Sequence, residues 1–277
     1  MKSVKTAILI LLFALSLSRG YAQLAISPPY VSVDSKSGVG NIFISNNSAI
    51  PQEVEISFAF GYPSSDTLGN MVVNYSDSAA YKQYAMDPIV RAFPRTFILP
   101  ANQQRTIRVQ VKPSPGMKDG FYFTRVKVLA KPQTPDVSKP AADGSVTTNI
   151  KFNFEQVIPA FYKRGNLTTG IKIDKIDATQ KDTVLSVKAG LERMGAAPFI
   201  GTMTAKLIDS KGKVIAISQS PTTAYFKVFR RLDLSISKIV PGPYKMELSF
   251  ETKRSDMSAS DLTQAPAVVE SIDVKIK

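Results

Sequence analysis

The chain has 277 residues, 35 basic and 22 acidic, for a formal charge of +13 that falls to +10 once Lys2, Lys5 and Arg19 are set aside. It contains no His, Cys or Trp, which excludes a Ser-His-Asp triad, a Cys nucleophile, an ordinary zinc or copper site and any disulfide. A carboxylate-pair glycosidase survives in principle, but no two of the acids stand out, so neither enzymatic chemistry nor a cofactor is expected.

Residues 1–22 read as a secretory signal. Lys2 and Lys5 precede the apolar stretch 7–17, and Gly20-Tyr21-Ala22 offers a small-residue cleavage site. Cleavage before Gln23 predicts an exported chain. No Cys follows the signal to carry a lipid, and no later apolar run approaches the roughly 20 residues of a membrane helix, so membrane insertion is not expected. Export and the lack of basic runs interleaved with aromatics also exclude nucleic acid as a partner. The positive charge suits either a solvated surface or acidic partners.

The mature chain then reads as short strands between turns. Residues 53–60 place Val54, Ile56, Phe58 and Phe60 on one face, and 106–111 do the same with Ile107, Val109 and Val111. Leu99 and Ile107 are expected in a core, with Arg108 and Arg125 facing solvent. Residues 121–128 begin with Phe121 and Phe123 on one side and end with Val126 and Val128 on the other, which predicts a bulge or twist near Thr124. Turn residues stand at Asn46-Asn47, Pro63-Ser64 and 113–116.

A polar loop at 131–145 precedes the segment 150–164. There Ile150, Phe152 and Phe154 alternate with Lys151, Asn153 and Glu155, giving one bulky apolar face. The strand either buries that face in its own sandwich or lends it to another protein. Further strands are predicted over 171–178, 183–192, 201–209, 213–218, 244–251 and 268–276, with a tight turn at Asp209-Ser210-Lys211-Gly212 where Gly212 supplies a positive φ. Pro241-Gly242-Pro243 leads into a strand whose Tyr244 packs at a sandwich corner, and 254–266 is a loop or one short helix. The whole predicts an all-β protein of two sandwich domains, 23–165 and 166–277, of 143 and 112 residues. Asp66-Thr67-Leu68, Asp77-Ser78-Ala79 and Asp182-Thr183-Val184 resemble bacterial O-glycosylation sites.

The order LPANQQRTIRV (99–109), DGFYFTRVKV (119–128), a long loop and a strand closing on AFYKR (160–164) resembles the periplasmic pilus-assembly chaperones of the chaperone–usher pathway. Residues 24–58 resemble their first strands, and 166–277 match in size and β character. The resemblance implies two immunoglobulin-like domains in a periplasmic protein. It implies a partner pilin lacking a strand, which the chaperone completes with its own, and an outer-membrane usher-like partner. Laid on that family, Ile150, Phe152 and Phe154 form the donor row, the length of the loop indicates the long-loop branch, and Leu24 and Ile26 become lesser donors. The family's two basic anchors for the pilin's terminal carboxylate fall at Tyr30 or Val31 and at Pro159, which carry no charge. Lys163 and Arg164 are then the candidate anchors, with an interdomain ion pair from Lys163 to Asp119 as the other role open to it. The alternative is a structural or adhesive sandwich of the cell envelope, in which 150–154 is an ordinary core strand.

Overall fold

The structure, a computed structural model, describes residues 24–133 and 152–277. The expected signal, most of the loop at 131–145 and Ile150 lie outside the described residues. The first half runs β1 (Leu24–Ser27), β2 (Val31–Val33), β3 (Val39–Asn46), β4 (Gln52–Ala59), β5 (Tyr62–Ser65), β6 (Met71–Asn74), α1 (Ser78–Tyr84), β7 (Val90–Phe93), β8 (Thr96–Leu99), β9 (Gln104–Val111), β10 (Gly120–Pro132) and β11 (Phe154–Arg164). One sheet has the order β1-β3-β9-β7 and the other β2-β11-β10-β4-β8, with β5 and β6 forming a separate hairpin. The second half runs β12 (Thr169–Lys181), β13 (Val184–Gly195), β14 (Phe199–Ile208), β15 (Val214–Ala224), β16 (Lys227–Ser235), β17 (Gly242–Glu251) and β18 (Val268–Ile276). Its sheets are β12-β13-β16 and β15-β14-β17-β18. Both strand orders follow the division of an immunoglobulin sandwich.

The period-two rows explain the two cores. Val54, Ile56, Leu99, Ile107, Val109, Val126 and Val128 are buried together in the first, and Leu185, Val187, Met203, Leu207, Leu232 and Phe250 in the second. Each sandwich carries a matching corner: the hydroxyls of Tyr122 and Tyr244 donate to the carbonyls four residues upstream, Lys118 and Val240, both at 2.8 Å. Such a corner ties the start of the sixth strand of an immunoglobulin fold to the loop before it. The Asn46-Asn47 turn is fastened from within. Wholly buried, the Asn46 amide donates to the carbonyls of Ile50, Leu99 and Pro100. At the predicted tight turn Gly212 has φ +80°, and the Asp209 carboxylate accepts from the N–H groups of Lys211 and Lys213.

One expectation changes, and two elements lie beyond the sequence reading. The ladder of β10 with β11 runs through Thr124 without a register shift, and that with β4 begins at Arg125, so the β10–β11 ladder has no bulge there. The phase switch has another cause: Val126 and Val128 face the first core, while Phe121 and Phe123 face the second sandwich and are buried against it. The strand β16 escaped the sequence because its inward row is Val228, Arg230, Leu232 and Leu234. An arginine interrupts the apolar period, yet Arg230 is buried, its Nη2 donating to the backbone oxygen of Thr223 at 3.0 Å. The helix α1, seven residues long, is too short to show a helical period. It is capped by Asp77, whose carboxylate accepts from the Ala80 N–H and the Tyr62 hydroxyl.

An aromatic cluster joins the sandwiches. Tyr30, Phe60, Tyr62, Phe121, Phe123 and Phe161 of the first are buried with Ala197, Ile200, Tyr225 and Leu262 of the second. Phe123 stands edge-on to Tyr225 at 4.7 Å between centroids, and Tyr62 to Phe226 at 4.9 Å. The β5–β6 hairpin reaches over the edge of β16, where the Phe229 N–H donates to the Ser65 hydroxyl at 2.8 Å. At its tip Gly69, with φ +85°, lies against the backbone of Arg230 and Arg231.

Candidate functional site

The strand β11 is built unevenly. On one side it pairs with β10 along its whole length, from Phe154 opposite Ala130 to Arg164 opposite Gly120. On the other side the parallel strand β2 pairs only with Ala160, Phe161 and Tyr162. Among the described residues, Phe154 to Pro159 have no strand on that outer side, so their outward backbone groups form an open edge.

Residues directly opposite in a ladder project to the same face. Ala130, Val128 and Val126 face the first core, so Phe154, Gln156 and Ile158 across from them share its side of the sheet. Ile158 packs against that core, whereas Phe154 is 38% exposed and Phe152, just before the strand, 67% exposed. The apolar row therefore begins in the core and runs out past the edge of the sandwich. Gln156 is its polar member, with Oε1 sealed from solvent and without a partner. Glu155 on the opposite face is paired to Lys127 at 3.2 Å. Leu24 and Ile26, the lesser donors, sit in the chain's own core: Leu24 is 1% exposed and Ile26 packs beside it.

At the far end of β11 the expected anchors have other partners. Lys163 Nζ crosses to the second sandwich and donates to the carbonyls of Asp261 at 2.8 Å and Ser260 at 3.2 Å. Burial lowers its pKa, and the nearby Asp261 charge opposes that shift. Asp119 pairs with Arg164, at 3.6 Å, rather than with Lys163. Tyr30 does reach a carboxylate, though through its hydroxyl: it donates to Asp261 Oδ2 at 2.8 Å and accepts from the Ser258 N–H at 3.1 Å. Tyr30 and Pro159 both line a narrow cleft of about 80 Å³ between the sandwiches, beside Phe161, Tyr225 and Met257. Arg254 in that cleft is held in a two-pronged pair by Asp256.

One cation was misjudged from the sequence. Arg125 stands directly across the ladder from Pro159, on the side of β10 that faces the second sandwich. Its Nη2 donates to the Val157 carbonyl at 3.3 Å, and its Nε is sealed from solvent with no partner. Its charge also acts on Tyr225, a fully enclosed phenol whose pKa burial raises and Arg125 lowers. Alternation alone made Arg125 a solvated residue. It is half-buried, on the face that Phe121 and Phe123 turn toward the second sandwich, which no local pattern records.

No family model matches the chain, and no curated protein matches it. Several solved structures resemble it over nearly their full length at low identity. The YadV chaperone is 12% identical with a TM-score of 0.47, covering 92% of this chain and 100% of its own. The chaperone–tip adhesion subunit complex CsuC–CsuE of Acinetobacter baumannii is 12% identical at 0.45, covering 91% and 98%. The SafB chaperone of Salmonella enterica, in complex with the SafA pilin, is 12% identical at 0.42, covering 92% and 99%. These three are structures of chaperones, one of them held with a pilin and one with a tip adhesion subunit.

Proposed function

We propose that the chain is a periplasmic chaperone that binds a pilus-type β-sandwich subunit lacking a strand, completes it with β11, and delivers it to an outer-membrane assembly partner. The observation that carries this reading is the open edge Phe154–Pro159, flanked by the exposed Phe152 and Phe154. An unpaired edge with protruding aromatics is an aggregation hazard unless a partner covers it. Strand addition supplies that cover: backbone hydrogen bonds give affinity, and the row enters pockets of the client. Burying the exposed parts of Phe152 and Phe154 contributes on the order of 2–3 kcal/mol together. In the sequence Ile150 continues the same alternation. Gln156 asks the client for a hydrogen-bond donor at its position. The work is burial and exchange, with no bond made or broken and no cofactor required. Lys163 and Arg164 hold the chaperone's own architecture, and Arg125, half-buried beside Pro159 with its Nη2 on the Val157 carbonyl, is the cation that meets a client's terminal carboxylate.

The test is co-expression with its cognate pilus subunit. Phe152→Asp combined with Phe154→Asp is expected to abolish recovery of the soluble complex while the free protein melts within about 2 °C of wild type, since both side chains are exposed. Undiminished recovery would sink the donor-strand reading and leave an envelope sandwich protein with an ordinary edge.

A further inference from the structure

The chain contains five aspartates followed by Ser or Thr: Asp34, Asp66, Asp77, Asp182 and Asp209. The hydroxyl residue after each is exposed and stands in a turn or, for Ser78, at the start of α1. In four of the five the carboxylate folds back onto the backbone. Asp34 accepts from the N–H groups of Lys36 and Ser37, and Asp66 from those of Leu68 and Asn70. Asp77 accepts from the Ala80 N–H, and Asp209 from those of Lys211 and Lys213. The fifth, Asp182, takes a φ of +50° in the two-residue turn between β12 and β13. Aspartate builds such turns because its short side chain reaches the N–H groups just ahead and tolerates a positive φ.

The residue after the hydroxyl divides the five. Ser35 and Ser210 are followed by a lysine, which suits a solvated turn. Thr67, Ser78 and Thr183 are followed by an apolar residue that is exposed each time: Leu68 at 61%, Val184 at 37%, and Ala79. None of these three packs into either core or into the aromatic cluster. The fold therefore makes no use of them. Among the described residues none of the three preceding hydroxyls makes a hydrogen bond. Two of these turns are tied down through the backbone instead, the Thr67 carbonyl accepting from Lys188 Nζ at 3.2 Å and the Thr183 carbonyl from the Ile236 N–H at 2.8 Å. An aspartate-built turn, an unengaged hydroxyl and an exposed apolar neighbour thus recur together at three separate places.

We infer that Thr67, Ser78 and Thr183 are O-glycosylated by an enzyme that reads the turn and its apolar residue. Each hydroxyl oxygen bonds to the anomeric carbon of a glycosyl diphosphate, the bond from that carbon to the diphosphate breaks, and the hydroxyl proton passes to a base of the enzyme. A neutral sugar suits these positions better than a phosphate, which would set roughly two negative charges beside the aspartate. The sugar also covers exposed apolar surface with a bulky polar group, above all at the β5–β6 hairpin, where Met71 is 60% exposed near Leu68. A lysine in the apolar place rejects the acceptor, so Ser35 and Ser210 stay bare. The modification depends on export of the chain and is independent of strand donation.

The test is mass spectrometry of the full protein recovered from the cell that exports it naturally. Its mass is expected to exceed that of the bare chain by whole sugar units, and the excess is removed by anhydrous acid that cleaves glycosidic bonds. Peptide mapping places the sugar on Thr67, Ser78 and Thr183 and finds Ser35 and Ser210 unmodified. Leu68→Lys, at an exposed position and checked for an unchanged melt, loses the sugar at Thr67 alone, whereas Thr67→Ser keeps it. Phe152→Asp with Phe154→Asp leaves all three sugars in place, so failure of strand donation and failure of this inference read differently. The proposal is overturned if fewer than two of the three hydroxyls carry sugar, if the added mass is a phosphate, if Ser35 or Ser210 is glycosylated as well, or if Leu68→Lys leaves Thr67 glycosylated.

Discussion

At the scale of single residues, burial decides which charges are available. Lys163 stands at the end of β11 and Arg125 across from its middle, at Pro159; Lys163 is held by two carbonyls of the second sandwich, whereas Arg125 keeps a sealed, unpartnered Nε. Lys163→Ala is therefore expected to lower stability by about 1.5 kcal/mol, the scale of hydrogen bonds from a charged donor, and to leave client capture intact. Arg125→Ala should do the reverse, weakening capture about tenfold, or roughly 1.4 kcal/mol, with little change in melting. Equal behaviour of the two variants in a pull-down and a thermal melt would refute the assignment. Asp87 gives a pH signature. Burial raises its carboxyl pKa in the folded state, so between its ordinary and its raised value the folded chain binds more protons than the unfolded one. Its contribution to stability is then present at acidic pH and lost as pH rises through the raised value. Asp87→Asn should gain melting temperature over wild type at pH 7, and the gain should shrink toward pH 3.

At the scale of elements, length and neighbours matter more than pattern. The strand β11 alternates well, yet its role follows from β2 covering only three of its residues. The β5–β6 hairpin has no strong alternation and works instead as a strap across β16, with Gly69 at the contact. Gly69 has a positive φ, and an added Cβ would lie 3.0 Å from the Arg231 Cβ and 3.1 Å from its nitrogen. Gly69→Val combines backbone strain with that clash and should cost about 1–2 kcal/mol. Hydrogen exchange should show the β16 amides, Phe229 foremost, opening faster in the variant; unchanged protection there would count against the strap.

At the scale of the molecule, the aromatic cluster makes the two sandwiches interdependent. Phe123 touches Phe60, Tyr62, Tyr84 and Tyr225 at once. Removing such a ring costs about 3–5 kcal/mol in a well-packed site. Wild type is expected to give a single calorimetric transition. Phe123→Ala should lower it and split it in two as the sandwiches uncouple. One unsplit transition in the variant would mean that the hairpin strap and the Lys163 clamp suffice to couple them.

The residue order by itself determined that the chain is all β, because period-two alternation and closely spaced turns leave no room for long helices. It also determined the row of Phe152 and Phe154 and the turn at Gly212, since these depend on neighbours one to four positions away. Tertiary structure decided the rest. It turned Phe121 and Phe123 of β10 toward the second sandwich and Val126 and Val128 toward the first, placed Arg230 inside a sandwich, gave Lys163 to the second domain, sealed Arg125 Nε and left the later half of β4 without a ladder neighbour among the described residues. Each depends on which surface closes over which, and contacts between residues far apart in the chain leave no trace in a local pattern.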